Sequence, residues 1–119
     1  MGKMITRVRK RDGRIVEFDQ DRITNAILKA AQAVGGHDKE EAKRMADRVV
    51  TILEYQFSKE EVPTVEEIQD LVEKVLIKAG HAKTAKAYIL YRQQHAKLRA
   101  TKATYIDVVN TISSYLGKN

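Results

Sequence analysis

The chain has 119 residues, with 22 basic and 16 acidic side chains for a net charge of +6, 43% hydrophobic residues and no cysteine. That length suits one compact domain burying roughly two-thirds of its unfolded surface. The lack of cysteine excludes a disulfide framework, a zinc ribbon, an iron-sulfur cluster and a thiol nucleophile, and with no apolar run near ~20 residues and no signal-peptide core the chain is expected to be soluble and cytoplasmic.

Residues Met4 to Lys10 and Arg14 to Phe18 are rich in Ile, Val, Thr and Phe, with Asp12-Gly13 between them. This pattern predicts a β-hairpin closed by a type I′ turn. Asp19 reads as an N-cap, because Ile23, Ala26, Ile27, Ala30, Ala31 and Val34 follow at helical spacing until Gly35. Phe18 and Ile23 have the spacing of a hydrophobic staple across that cap. A second helix is expected from Asp38 to about Phe57, with Ala42, Met45, Ala46, Val49, Leu53 and Phe57 on its buried stripe.

The third helix has the clearest start. Thr64 and Glu67 form a capping box, Ile68, Leu71, Val72, Val75 and Leu76 make the stripe, and Gly80 stands where a C′ residue belongs. A fourth helix from about Ala82 to Leu98 carries Tyr88, Ile89, Leu90 and Tyr91 among basic residues. A last one is expected from Tyr105 to Leu116, with Thr104 as its cap and Val108, Val109, Ile112 and Leu116 periodic. The fold class is therefore α+β, a small β-hairpin or sheet cap on a mostly α-helical, four-helix-type bundle.

Charge is partitioned along this order. Residues 1–18 carry +4, residues 38–73 carry −6 and residues 74–106 carry +8. Two basic segments that converge would attract phosphate or nucleic acid, and two that do not are simply solvated faces. On the hairpin, Val8 and Lys10 are two apart and so share a face, one an apolar floor and the other a charge. Free N–H groups at the first helix start favour an anion, and Lys10, Arg11 and Arg22 are placed to add charge-assisted contacts to a di- or triphosphate. A basic edge strand protected from aggregation would carry the same residues. A P-loop is absent, so no cradle for hydrolysis is expected. His37, His81 and His95 are scattered and are not expected to share a metal. Glu40-Glu41, Glu60-Glu61 and Glu66-Glu67 are expected to be solvated or helix-capping.

Four ordered signatures then carry a resemblance: Val8-x-Lys10-Arg11-Asp12-Gly13, Val16-x-Phe18-Asp19-x-x-Arg22-Ile23, Val65-Glu66-Glu67-Ile68-Gln69-x-Leu71-Val72 and Ala87-Tyr88-Ile89-x-Tyr91-Arg92. Together they resemble the ATP-cone domain, an allosteric ATP/dATP-binding module at the N-terminus of ribonucleotide reductases and in the bacterial regulator of their genes. Thr104-Tyr105-Ile106-Asp107-Val108-Val109 through Ser114-Tyr115-Leu116 is similar to the junction into the catalytic domain of anaerobic, class III ribonucleoside-triphosphate reductases. The regulator resembles the chain less well, since it carries a cysteine zinc ribbon before the cone.

The resemblance implies an ATP-cone over residues 1–98 and a linker helix over 99–119 that leads toward a catalytic domain, the 119 residues being a non-catalytic regulatory fragment. By the same resemblance Val8 and Ile23 line the base and ribose, Lys10, Arg11 and Arg22 hold phosphates, and Thr64 and Gln69 close the site near the base or sugar. Tyr91 packs near the nucleotide, with Lys86, Tyr88 and Gln94 as neighbours. Two positions depart from the family, where Lys often stands for Arg22 and His in some members for Gln69. The implied effectors are ATP, activating, and dATP, inhibiting, with Mg2+ accompanying the phosphates. The implied partners are the catalytic domain of the parent chain and a nucleotide-dependent oligomer, with no membrane. A cone from another reductase class or from a transcriptional regulator, a basic nucleic-acid-binding domain using the +8 segment, and a protein-interaction module built on the acidic second helix are the alternatives.

Overall fold

The computed structural model describes residues 5–58 and 60–115, with side chains through Lys102. Strand β1 (Arg7–Arg9) pairs antiparallel with β2 (Ile15–Glu17), Val8 standing opposite Val16. Helices α1 (Gln20–Ala33), α2 (Lys39–Gln56), α3 (Val65–Lys78) and α4 (Ala82–Tyr115) follow in order. The α+β class expected from the sequence holds.

The hairpin turn differs from the expected type. A type I′ turn needs positive φ at both central residues, whereas Gly13 has φ of +90° and no non-glycine residue among the described ones has a positive one. Gly13 donates its N–H to the carbonyl of Lys10 at 2.9 Å, and Lys10 donates to Arg14 at 2.7 Å. The loop is thus three residues long, a turn over Arg11 and Asp12 completed by a left-handed glycine. Asp12 accepts from the Arg14 backbone at 3.0 Å and from its guanidinium at 2.7 Å, which holds the Asp12 carboxyl below the ordinary carboxylate range.

Helix starts follow local chemistry. Asp19 caps α1 by accepting from Asp21, Asp38 caps α2 by accepting from Glu41, and both halves of the Thr64–Glu67 capping box form on α3. Gly80, just past α3, takes φ of +86°, the left-handed conformation that ends helices and suits glycine. Toward its end α4 departs from the two-helix expectation, running unbroken through Thr104. Residues 99–104 contain neither Gly nor Pro and include Arg, Ala and Lys, all good helix formers, so nothing there breaks the ladder. Met4 and Leu116, expected at the first strand's start and the last helix's end, lie outside the described residues, as do the side chains of Val108, Val109 and Ile112.

The chain divides into two compact units, Met1–Tyr88 and Ile89–Asn119. In the first, α2 packs against both α1 and α3. Its core side chains follow the expected stripes: Ala46, Val49, Leu53, Val72 and Leu76 are almost wholly buried, and Val8, Ile23, Ile27 and Tyr88 join the same cluster. Phe18 is half-buried against it, where a staple to Ile23 requires. Two ends of the stripes come out: Val34, at the end of α1, is 43% exposed, and Phe57 only half-buried. The second unit carries exposed Leu90 and Leu98, and its Tyr91 ring stacks at a tilt on His95 with centroids 4.1 Å apart.

Candidate functional site

In the first unit the basic strand is bordered on both edges. Arg9 pairs with Ile15 of β2, and on its other side its N–H donates to the carbonyl of Pro63 at 2.9 Å while a one-residue parallel bridge joins it to Thr64. At Arg9, therefore, β1 is not an open edge strand. The next two residues, Lys10 and Arg11, leave the strand directly beside the start of α3.

Arg11 crosses that short gap. Its Nη1 lies 2.8 Å from Glu66 Oε2, and its Nη2 donates to Gln69 Oε1 at 3.2 Å. Glu66 and Gln69 are three apart on α3, hence on one helix face. Thr64 is committed to its cap: its hydroxyl accepts from the Glu67 N–H at 3.1 Å and donates to Glu67 Oε1 at 3.0 Å. On the other side, Phe18 donates to the Thr6 carbonyl at 2.9 Å, so the entrance to α1 lies by the start of β1.

Among the predicted site residues, Arg11 and Gln69 are joined by a direct hydrogen bond, and Thr64 is linked to them through the Arg9 bridge. Val8, in β1, and Ile23, in α1, are 9% and 8% exposed and belong to one core cluster. Lys10 is half-buried and Arg22, in the first turn of α1, is exposed. Among the described residues neither has a salt-bridge partner. Tyr91 and Gln94 belong to the second unit. Of the other two expected neighbours, Tyr88 is a core residue and Lys86 is exposed.

Two acids escaped the sequence reading. Glu67 caps α3 as expected, but its neighbour Glu66 pairs with Arg11, and Glu41 on α2 bridges His81 at 2.8 Å and Arg44 at 2.7 Å. The His81 hydrogen bond, then that of Arg44, holds the Glu41 carboxyl below its ordinary range. The signal for Glu66 lay in the charge partition, since a +4 hairpin and a −6 segment attract. The first basic segment meets acid rather than a second basic one at this point.

Comparison with known proteins bears on what this arrangement is for. The family model described as the ATP cone domain matches residues 6–97. A vitamin B12-dependent ribonucleoside-diphosphate reductase of Thermoplasma acidophilum is 43% identical over 104 residues, covering 83% of this chain and 13% of that protein. A reductase of the same description from Mycobacterium tuberculosis is 40% identical over 97 residues, covering 82% of this chain and 13% of its own length. The anaerobic ribonucleoside-triphosphate reductase of Salmonella typhimurium is 36% identical over 89 residues, covering 75% of this chain and 12% of its own. The chain thus spans about an eighth of the length of these relatives, which include the anaerobic enzymes expected from residues 104–116 alongside B12-dependent ones at higher identity.

Proposed function

This chain belongs to the ATP cone domain family, and we propose that it is the nucleotide-sensing regulatory domain of a ribonucleotide reductase. The domain occupies residues 1–98 in this reading, and the rest of α4 leads toward the catalytic part of the parent chain. ATP and dATP are its effectors, ATP favouring the active and dATP the inhibited parent, through a change in association. Mg2+ enters with the phosphates and not through a dedicated set of carboxylates.

The observation that carries this reading is the tie between Arg9 and Pro63–Thr64, which sets Lys10 and Arg11 beside Thr64 and Gln69. Cations suited to phosphates therefore stand next to groups suited to a sugar or base, and Val8 and Ile23, assigned to the base and ribose, belong to the adjoining core cluster. Lys10, Arg11 and Arg22 are assigned to phosphates, the guanidiniums by bidentate contact and the ammonium as a point charge. Helix α1 adds the partial positive charge of its N-terminus.

Isothermal titration calorimetry tests it. ATP and dATP are expected to bind and to compete with each other, and the Lys10→Ala, Arg11→Ala double variant to bind both far more weakly. Wild-type affinity in the double variant overturns the site, and failure of both nucleotides to bind the native chain overturns the function.

A further inference from the structure

The cation at the tip of the hairpin is already held by protein. Glu66 and Gln69 grip the Arg11 guanidinium through Nη1 and Nη2, and the side chains of Arg11 and Glu66 remain 39% and 38% exposed. Glu66 shares the first turn of α3 with Glu67, where an acid favours the helix N-terminus, but neither the cap nor the core requires one at position 66. Glu67 supplies the capping box, and Ile68, Leu71 and Val72 supply the buried stripe. A guanidinium takes a carboxylate and a phosphate through the same planar fork of donors. Glu66 thus occupies on Arg11 the place a phosphate would take. A phosphate chain drawn to that fork meets the carboxylate at close range, where like charges repel.

We propose that Glu66 is an affinity-setting residue of the nucleotide site, an internal competitor that the phosphate chain displaces from Arg11. This rests on the nucleotide reading above and adds to it a residue with a sign opposite to the others: every cation there strengthens binding, and Glu66 weakens it. Exposure of the pair makes the exchange feasible, because the displaced carboxylate passes into water and not into the core. Gln69 stays on Arg11 through the exchange as a neutral acceptor.

The test is a double-mutant cycle with ATP as the probe, read by calorimetry at 0.15 M salt. Glu66→Gln keeps the size and an acceptor oxygen toward Arg11 while removing the charge. It is expected to tighten ATP binding at least fivefold in the native background and less than twofold in the Arg11→Ala background. No tightening in the native background overturns the proposal, and so does a tightening of twofold or more without Arg11, which would be long-range repulsion and not competition for that side chain. Matching circular dichroism spectra of the four proteins show that α3 is intact in each. If the native chain binds no ATP, the nucleotide reading itself fails and this inference falls with it; if it binds and the cycle is flat, only the role of Glu66 is lost.

Discussion

The Arg9 N–H reaches the carbonyl oxygen of Pro63 at 2.9 Å, and this contact fastens the hairpin to the start of α3. Pro63 is itself almost wholly buried, so the fastening point does not drift with solvent. The next residue, Thr64, is the N-cap of the helix. Position and stability of the site therefore depend on the same short segment, residues 63–67.

Thr64→Ala removes both Oγ1 contacts of the capping box, leaving the Glu67 N–H without its acceptor. A cost of ~0.5–2 kcal/mol is expected, which lowers the melting temperature by roughly 4–8 °C per kcal/mol for a domain of this size. Thr64→Ser should restore most of it. Thermal unfolding followed by circular dichroism is the measurement, and an unchanged midpoint in Thr64→Ala would show that the box carries no stability.

Core and surface should separate cleanly. Leu76 is 0% exposed in the packed centre and Tyr55 is 91% exposed on α2. Leu76→Ala is expected to cost about 2–5 kcal/mol through lost burial and a residual cavity, a large share of the ~5–15 kcal/mol that holds a domain folded. Tyr55→Ala should stay within about 0.5 kcal/mol of the native protein. Urea titrations of the two variants give the comparison, and equal midpoints would contradict the packing described.

Glu41 makes the first unit sensitive to acid. Its folded carboxyl is held below the ordinary value of 4.5 by His81 first and Arg44 second. A depressed carboxylate binds fewer protons folded than unfolded, so its contribution is fully present above the ordinary value and is lost as pH falls through the folded one. Stability should therefore decline below pH 4.5, and Glu41→Gln should flatten that decline while lowering stability at neutral pH. Denaturation midpoints from pH 3 to pH 7 provide the test; parallel curves for the two proteins would take Glu41 out of the acid response.

Lys10 separates binding from turnover. Its ammonium has no salt-bridge partner among the described residues, so Lys10→Ala removes a cation without freeing an internal acid. ATP binding should weaken by ~1.5–3 kcal/mol if the contact is charge-assisted. The native chain should bind ATP without hydrolysing it, since a P-loop is missing and no general base has been assigned. Steady phosphate release that Lys10→Ala abolishes would contradict this.

Local spacing made most of these elements legible. Thr64 and Glu67 are three residues apart, and Asp19, Asp38 and Gly80 act within a turn of their own position, so sequence order alone carries their geometry. The hairpin was legible in outline only, because Asp12-Gly13 is shared by two-residue and three-residue loops and the choice depends on whether Asp12 takes a positive φ. The Thr104 cap failed for a related reason, since a Thr before an apolar run marks a helix start only where the preceding segment stops. The Arg11–Glu66 pair was hidden because 55 positions separate its members. The Arg9–Pro63 hydrogen bond and the Arg9–Thr64 bridge bring them together, and no periodicity reports those contacts.

ATP and dATP differ by one ribose hydroxyl, and an effector shifts a two-state element only by its differential affinity for the two states. The group that senses the hydroxyl must have hydrogen-bonding capacity left over. Thr64 spends the single proton of its Oγ1 within the capping box and so has no donor left, only a second lone pair, whereas the Gln69 side chain commits its oxygen to Arg11 and keeps its amide N–H groups as donors. Those donors suit a hydroxyl oxygen, so Gln69 is the residue expected to tell the two sugars apart. Gln69→Ala also deprives Arg11 of an acceptor, but that loss is common to both nucleotides and cancels in the ratio of their dissociation constants. What remains is a neutral hydrogen bond, worth ~0.5–1.5 kcal/mol, or about a 2- to 12-fold change in the ratio. Calorimetric titration of Gln69→Ala with each nucleotide should show ATP losing more than dATP by that factor, and an equal loss for both would move the sensing of the sugar to another residue.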